Sequence, residues 1–185
     1  MGAREWMGGV ALLAGALAGC GGGDPDAGVL RGRGMTPAGL APAAEARVAE
    51  AAVGAAFERE PGLNFLLNPR RLARTAEDSG AAAVAPAVVE ALRARRVIGG
   101  TCEPRAEAER DTPRCPGDRT GYVLRLSDVY RDRGDTVQLY LAAERYAPEA
   151  GAKPEALRLE KVYRMVQAGD RWRVVGEARS PGDAP

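Results

Sequence analysis

The spacing of apolar residues changes character along the chain, from a helical repeat in the first half to a two-residue repeat after residue 121. In 44–60, Ala49, Ala52, Val53, Ala56 and Phe57 fall on one stripe at helical spacing, with Arg47, Glu50 and Glu58 off it, which predicts an amphipathic helix ended by Pro61-Gly62. The stripe is mostly alanine, so the helix can approach its neighbour closely, and Phe57 is its main anchor. The short apolar run 63–67 fits a strand or a helix. Asn68-Pro69 fits an N-cap followed by proline at the first helical position, predicting a weak helix to about Glu77 with Leu72 as its one bulky apolar residue. A clearer helix is predicted over 86–97, with Val88, Val89 and Leu92 inward. Arg93, Arg95 and Arg96 then fall in its last turn, where they suit the negative end of the helix dipole.

From Tyr122 the period is two. Tyr122, Leu124, Leu126, Asp128 and Tyr130 share one face of a predicted strand, and Val137, Leu139 and Leu141 share a face of the next, with 131–134 as the turn. Leu157, Leu159, Lys161, Tyr163 and Met165 line a third strand. After the Gly169-Asp170 turn, Trp172 and Val174 line a fourth. A two-residue loop there sets Met165 opposite Val174 and Gln167 opposite Trp172. With Tyr130 opposite Asp135, Leu126 falls opposite Leu139. Both registers gather apolar residues on one face. The expected fold is α+β, with N-terminal helices packed on one face of a four-stranded antiparallel meander.

The C-terminal stretch, particularly Tyr163-Arg164-Met165-Val166 and Arg171-Trp172-Arg173-Val174-Val175, resembles the last hairpin of NTF2-like domains of the cystatin-like fold class. That resemblance implies a cone-shaped domain whose relatives include enzymes, binding modules and dimerisation units, so fold alone leaves function open.

The front of the chain carries an address. Arg4 and the amino terminus form a positive end, and residues 7–17 are uncharged and apolar. A helix of that length rises only about 16 Å, whereas spanning a bilayer takes about 20 residues, so the run is the core of a signal peptide. Leu17-Ala18-Gly19-Cys20 resembles the lipobox of bacterial lipoproteins. The resemblance implies lipid attachment at Cys20, cleavage just before it, and anchoring without a membrane span. The expected layout is a signal peptide over 1–19, a lipidated Cys20 with a Gly/Pro-rich tether over 20–43, one domain over 44–180 and a tail over 181–185. Gly21 lacks the aspartate linked to inner-membrane retention in some bacteria, which leans the location toward the periplasmic face of the outer membrane.

In such an oxidising compartment the two remaining cysteines, Cys102 and Cys115, are expected to form a structural disulfide. Two thiolates without histidine are a poor metal set, and the spacing is far from a Cys-x-x-Cys redox pair.

Composition removes other chemistries. There is no histidine, which excludes Ser–His–Asp and Cys–His catalysis and His-ligated zinc. Basic and acidic residues number 26 and 25, a net charge of +1, giving no global attraction for nucleic acid. No phosphate loop or dinucleotide fingerprint is present, and no cofactor or metal is implied.

One irregularity remains. Asp128 and Lys161 interrupt apolar strand faces. Asp128 beside a turn and Lys161 snorkelling to water would explain both. The sharper alternative is a cavity in which Asp128 is a general base, with Tyr122, Tyr130 or Tyr163 as hydrogen-bond donors. Three functions stay open. One is a lipid-anchored envelope module binding a protein or a small apolar ligand. Another is a small NTF2-like enzyme using Asp128 for proton transfer. The third is an assembly subunit using the outer face of the sheet, with Arg125, Gln138, Tyr140, Arg158, Arg164 and Arg173.

Overall fold

A computed structural model describes residues 36–58, 62–72, 82–103, 115, 121–146 and 157–178. The signal peptide with Cys20, the tether up to residue 35 and the tail over 181–185 lie outside the described residues. The elements run α1 (Pro42–Ala56), β1 (Phe65–Leu67), α2 (Pro86–Ala94), β2 (Gly100–Thr101), β3 (Gly121–Leu126), β4 (Tyr130–Arg131), β5 (Thr136–Tyr146), β6 (Leu157–Ala168) and β7 (Arg171–Ala178).

The fold is α+β, as expected, but the sheet is not a four-stranded meander. It is a mixed, open sheet of seven strands in the order β2-β1-β3-β5-β6-β7, with β4 also paired to β5. The strands from β3 onward pair antiparallel. The additions are β1 and β2, which join in parallel. A parallel neighbour needs a crossover, and α2 supplies it between β1 and β2. Strands of three and two residues carry no readable alternation, so the periodicity could not have exposed them.

The β6–β7 hairpin has the expected register, Met165↔Val174 and Gln167↔Trp172. The preceding pair does not. Leu126 faces Leu141 rather than Leu139, and Tyr130 faces Gln138 rather than Asp135. The single strand expected over 122–130 breaks at Ser127–Val129 into β3 and β4. The Leu126 slip is by two residues, so the same side chains still face the core.

That core face gathers Leu124 and Leu126, Leu139 and Leu141, and Tyr163 and Met165 beneath Ala49, Ala52 and Val53 of α1 and Val88 and Leu92 of α2. The alanine stripe lets α1 settle on β5, β6, β7 and α2. Phe57 ends the helix in an aromatic cluster, its ring centroid 4.9 Å from Phe65 and 5.0 Å from Tyr122. At Gly121, beside this cluster, an added Cβ would collide with the Asn64 carbonyl, so only glycine lets β1 lie this close to β3.

Three boundaries differ from expectation for identifiable reasons. The folded part begins before residue 44. Pro42 opens α1 at the first helical turn, where its missing N–H costs nothing. Ahead of it Thr36 and Ala38 exchange hydrogen bonds with Arg131 and Val129. The helix expected after Asn68-Pro69 is absent over 68–72. Instead Asn68 and Leu72 donate backbone N–H groups to Leu124 and Leu126. The Asn68 Oδ1 accepts the Arg70 N–H at 3.0 Å, a turn that competes with capping for the same side chain. The rest of that expected helix lies outside the described residues. Finally, α2 stops at Ala94, with Arg96 in the left-handed region at φ 59°. Val97 N–H then returns to Leu92 and Arg96 N–H to Arg93, a Schellman ending built without glycine.

Candidate functional site

One flank of α1 carries Arg47, Glu50 and Ala51, all half-buried. The end of α2 brings Arg95 beside it, and the tight Gly169-Asp170 turn brings Arg171 and Trp172 at the start of β7. Together these residues line a cleft of about 290 Å³. Arg95 holds Glu50, with its Nε at 2.6 Å from Oε2 and an Nη in contact with the same oxygen. The Arg47 Nε and the Trp172 Nε1 are buried and have no hydrogen-bond partner among the described residues.

Trp172 also lines a second, larger cleft of about 480 Å³, between residues 38–40 and the β4–β5 and β6–β7 turns. It packs against the main core and is the residue common to both clefts.

Asp128 lines neither of these clefts. Its carboxylate accepts from Arg71 Nε at 3.0 Å and is 45% exposed. Arg71 is buried and spends the rest of its guanidinium on Glu45 at 2.6 Å and the Ser127 carbonyl at 2.9 Å. The alternation is broken at Asp128 because the strand is broken there. Ser127 Oγ accepts the Tyr140 N–H at 2.9 Å and donates to the Asp128 carbonyl at 2.7 Å, closing the gap between β3 and β4. Lys161 donates to Glu177 on β7 at 2.7 Å, so the two charges that interrupted the apolar faces each have an ion-pair partner and do not meet.

The three tyrosines proposed as donors stand apart. Tyr122 is in the aromatic cluster, Tyr130 pairs in β4 opposite Gln138, and Tyr163 is 1% exposed in the core. The Tyr163 hydroxyl has no partner among the described residues. Burial, reinforced by Glu177 opposite it on β7, pushes its pKa from 10.0 up to about 12. Because burial and Glu177 penalise only the ionised phenolate, the shift costs nothing while Tyr163 is neutral in both states, and the fold loses stability as pH rises from 10 toward 12, where the unfolded chain ionises first. Tyr163→Phe removes an unsatisfied hydroxyl while keeping the ring. It is expected to leave stability at pH 7 equal to wild type or higher by up to about 1 kcal/mol. Its advantage should widen as pH climbs through that window, read from urea unfolding midpoints of both proteins.

Part of the outer face of the sheet is covered. Tyr140, Val162 and Ala178 are buried there with Leu72 against them. Asp132 folds back to accept from Gln138 at 3.0 Å and Arg164 at 3.2 Å. Val175, 49% exposed, is the one large hydrophobic left open among the described residues. It is the residue skipped at the irregularity in the β6–β7 pairing, two positions after Arg173, and both a bulge and an edge charge discourage edge-to-edge strand addition.

Cys102 and Cys115 form a disulfide, with Cys102 packed on Leu66 and Val123. Among the described residues no cluster of three or more potential ligands could hold a metal ion, and no helix is long and apolar enough to cross a membrane. Compared with known proteins, the chain matches no family model, no curated protein and no solved structure.

The residues around the clefts were not singled out by sequence pattern. Arg47 and Glu50 have the spacing of a solvated helix face, and Arg95 suits its own helix dipole. The available signal was Trp172, one of two tryptophans in the chain, placed between Arg171 and Arg173 at the start of a strand.

Proposed function

We propose that this protein is an exported, lipid-anchored domain of the bacterial cell envelope that works as a binding module, with Cys20 as the lipid site and the clefts flanking Trp172 as the place of binding. The observation that carries the anchor is Leu17-Ala18-Gly19-Cys20 placed directly after an uncharged apolar run. The Cys102–Cys115 disulfide suits the oxidising compartment such an address implies. The stretch from Cys20 to the first described residue is glycine-rich, a composition that suits a spacer between an anchor and a domain. The periplasmic face of the outer membrane is the location we favour, on Gly21.

Binding without catalysis is the reading we prefer because the one candidate base, Asp128, is engaged by Arg71 and lines neither cleft. We also read the domain as NTF2-like, on the sequence of the β6–β7 hairpin and the helices laid over one sheet face, with β1 and β2 as additions.

The anchor is tested by Cys20→Ser in a bacterial host. Wild-type protein is expected in the detergent phase after detergent-phase separation and the variant in the aqueous phase. Equal recovery of both in detergent would overturn the lipid assignment.

A further inference from the structure

We infer that the cleft between α1, the end of α2 and the start of β7 is a site for a compact dianionic oxyanion of the phosphate-monoester kind, held by Arg47, Arg171 and the Trp172 indole N–H. The inference rests on the binding-module reading but not on the lipid anchor.

Charge comes first. The lining carries Arg47, Arg95 and Arg171 against the single carboxylate of Glu50. Arg95 neutralises Glu50 through two of its nitrogens. The Arg47 and Arg171 side chains make no ion pair or hydrogen bond with any described residue, leaving an excess of two positive charges in the lining of one small cleft. A dianion matches that excess, and guanidinium groups suit phosphate because their planar forks donate two parallel hydrogen bonds.

Burial is the second and independent observation. The Arg47 Nε and Trp172 Nε1 are shielded from solvent without an acceptor. Buried N–H groups are almost always paired, and leaving one unpaired is destabilising. Two such donors among the residues of one cleft are explained together if an acceptor-rich, donor-poor group occupies it. A phosphate monoester dianion has that character; an amine or an apolar ligand would leave both N–H groups unanswered.

Size sets the third limit. A volume of about 290 Å³ is at the small end of ligand pockets. It fits a phosphate with a short substituent, or the terminal phosphate of a lipid headgroup, and not a dinucleotide.

Trp172 makes the cleft its own reporter once Trp6, the other tryptophan, is replaced. The full chain carrying Trp6→Phe and Cys20→Ser is titrated with inorganic phosphate, and with sodium chloride at matched ionic strength, while Trp172 fluorescence is followed. Phosphate is expected to give a saturable change that chloride does not. Arg171→Gln, at an exposed strand start, and Arg47→Gln are each expected to weaken it at least about tenfold, with thermal unfolding checking that each variant is folded. Arg93→Gln, away from the cleft, should leave it unchanged. A second arm compares vesicles of phosphatidylcholine alone with vesicles containing phosphatidic acid. Arg47-dependent enrichment on the latter assigns the phosphate to a lipid; phosphate binding without that enrichment assigns it to a soluble ligand. A response that does not saturate, or that chloride reproduces, overturns the inference. So does saturable binding indifferent to both arginine changes, which would place the phosphate elsewhere and leave the binding-module reading standing.

Discussion

Arg71→Ala is expected to destabilise the fold by about 3 kcal/mol, the lower end of the range for removing one partner of a buried ion pair. Arg71 is 8% exposed and ties together three segments distant in sequence. Its guanidinium reaches Glu45 in the first turn of α1, Asp128 in the break between β3 and β4, and the Ser127 carbonyl beside it. Truncation leaves Glu45, itself only 17% exposed, as a carboxylate without its cation, and leaves a buried carbonyl without its donor. Both penalties act in the folded state alone. The lower end of the range is appropriate because Asp128 is 45% exposed and regains water when the pair is lost. Asp128→Asn should therefore cost no more than about 1 kcal/mol, and Glu45→Gln should fall between the two. Urea unfolding at neutral pH gives all three values. An Arg71→Ala loss below about 1 kcal/mol would show that the cluster relaxes around water and does not hold the segments together. A large loss for Asp128→Asn would show that Asp128 has a role beyond holding Arg71.

This cluster also shows how far periodicity can be read. The greasy faces of the long strands were legible because each alternates over several residues and packs against a helix stripe of the right spacing. Asp128 was legible as an exception, but its cause was not. An acidic residue on an apolar face signals either a site or the end of regular pairing. Only the position of Arg71, 57 residues earlier in the chain, decides between them.

The parallel strands were illegible for a different reason. In β1 and β2, whether Leu66 faces the core or the disulfide side is decided by a crossover through α2, which leaves no mark on so few residues. Asn68-Pro69 is equally good chemistry for a cap and for a turn, and the backbone of Leu124 and Leu126 took it for the turn. The cleft around Trp172 was hidden most completely. Its cations come from α1, α2 and β7, and each taken alone has an adequate local explanation. What marks them as a group is that, among the described residues, Glu50 is the single carboxylate where they converge, a property of the tertiary fold.

Replacing both cysteines, Cys102→Ala with Cys115→Ala, is expected to lower stability by about 3 kcal/mol, the chain-entropy value for a loop of this length. The disulfide closes a sequence separation of 13. The location makes the effect local as well as global. Cys102 follows directly on β2, a strand of two residues on the outer side of β1, and its N–H donates to the Leu67 carbonyl at 2.8 Å. So short a strand has little pairing to hold it, and the covalent link to Cys115 restrains the chain where the ladder ends. Alanine is the informative replacement because Cys102 is buried against Leu66 and Val123, where a serine hydroxyl would add an unrelated polar cost. Thermal unfolding should fall by roughly 10 °C, and reduction of the wild-type protein should reproduce most of the fall. Hydrogen exchange should localise the loosening, with the Cys102 and Gly99 amides losing protection well before those of β5 and β6. An unfolding midpoint unchanged by both the substitutions and reduction would mean that the β1–β2 pairing stands without the bridge. The disulfide would then no longer count as a fold determinant of this side of the sheet.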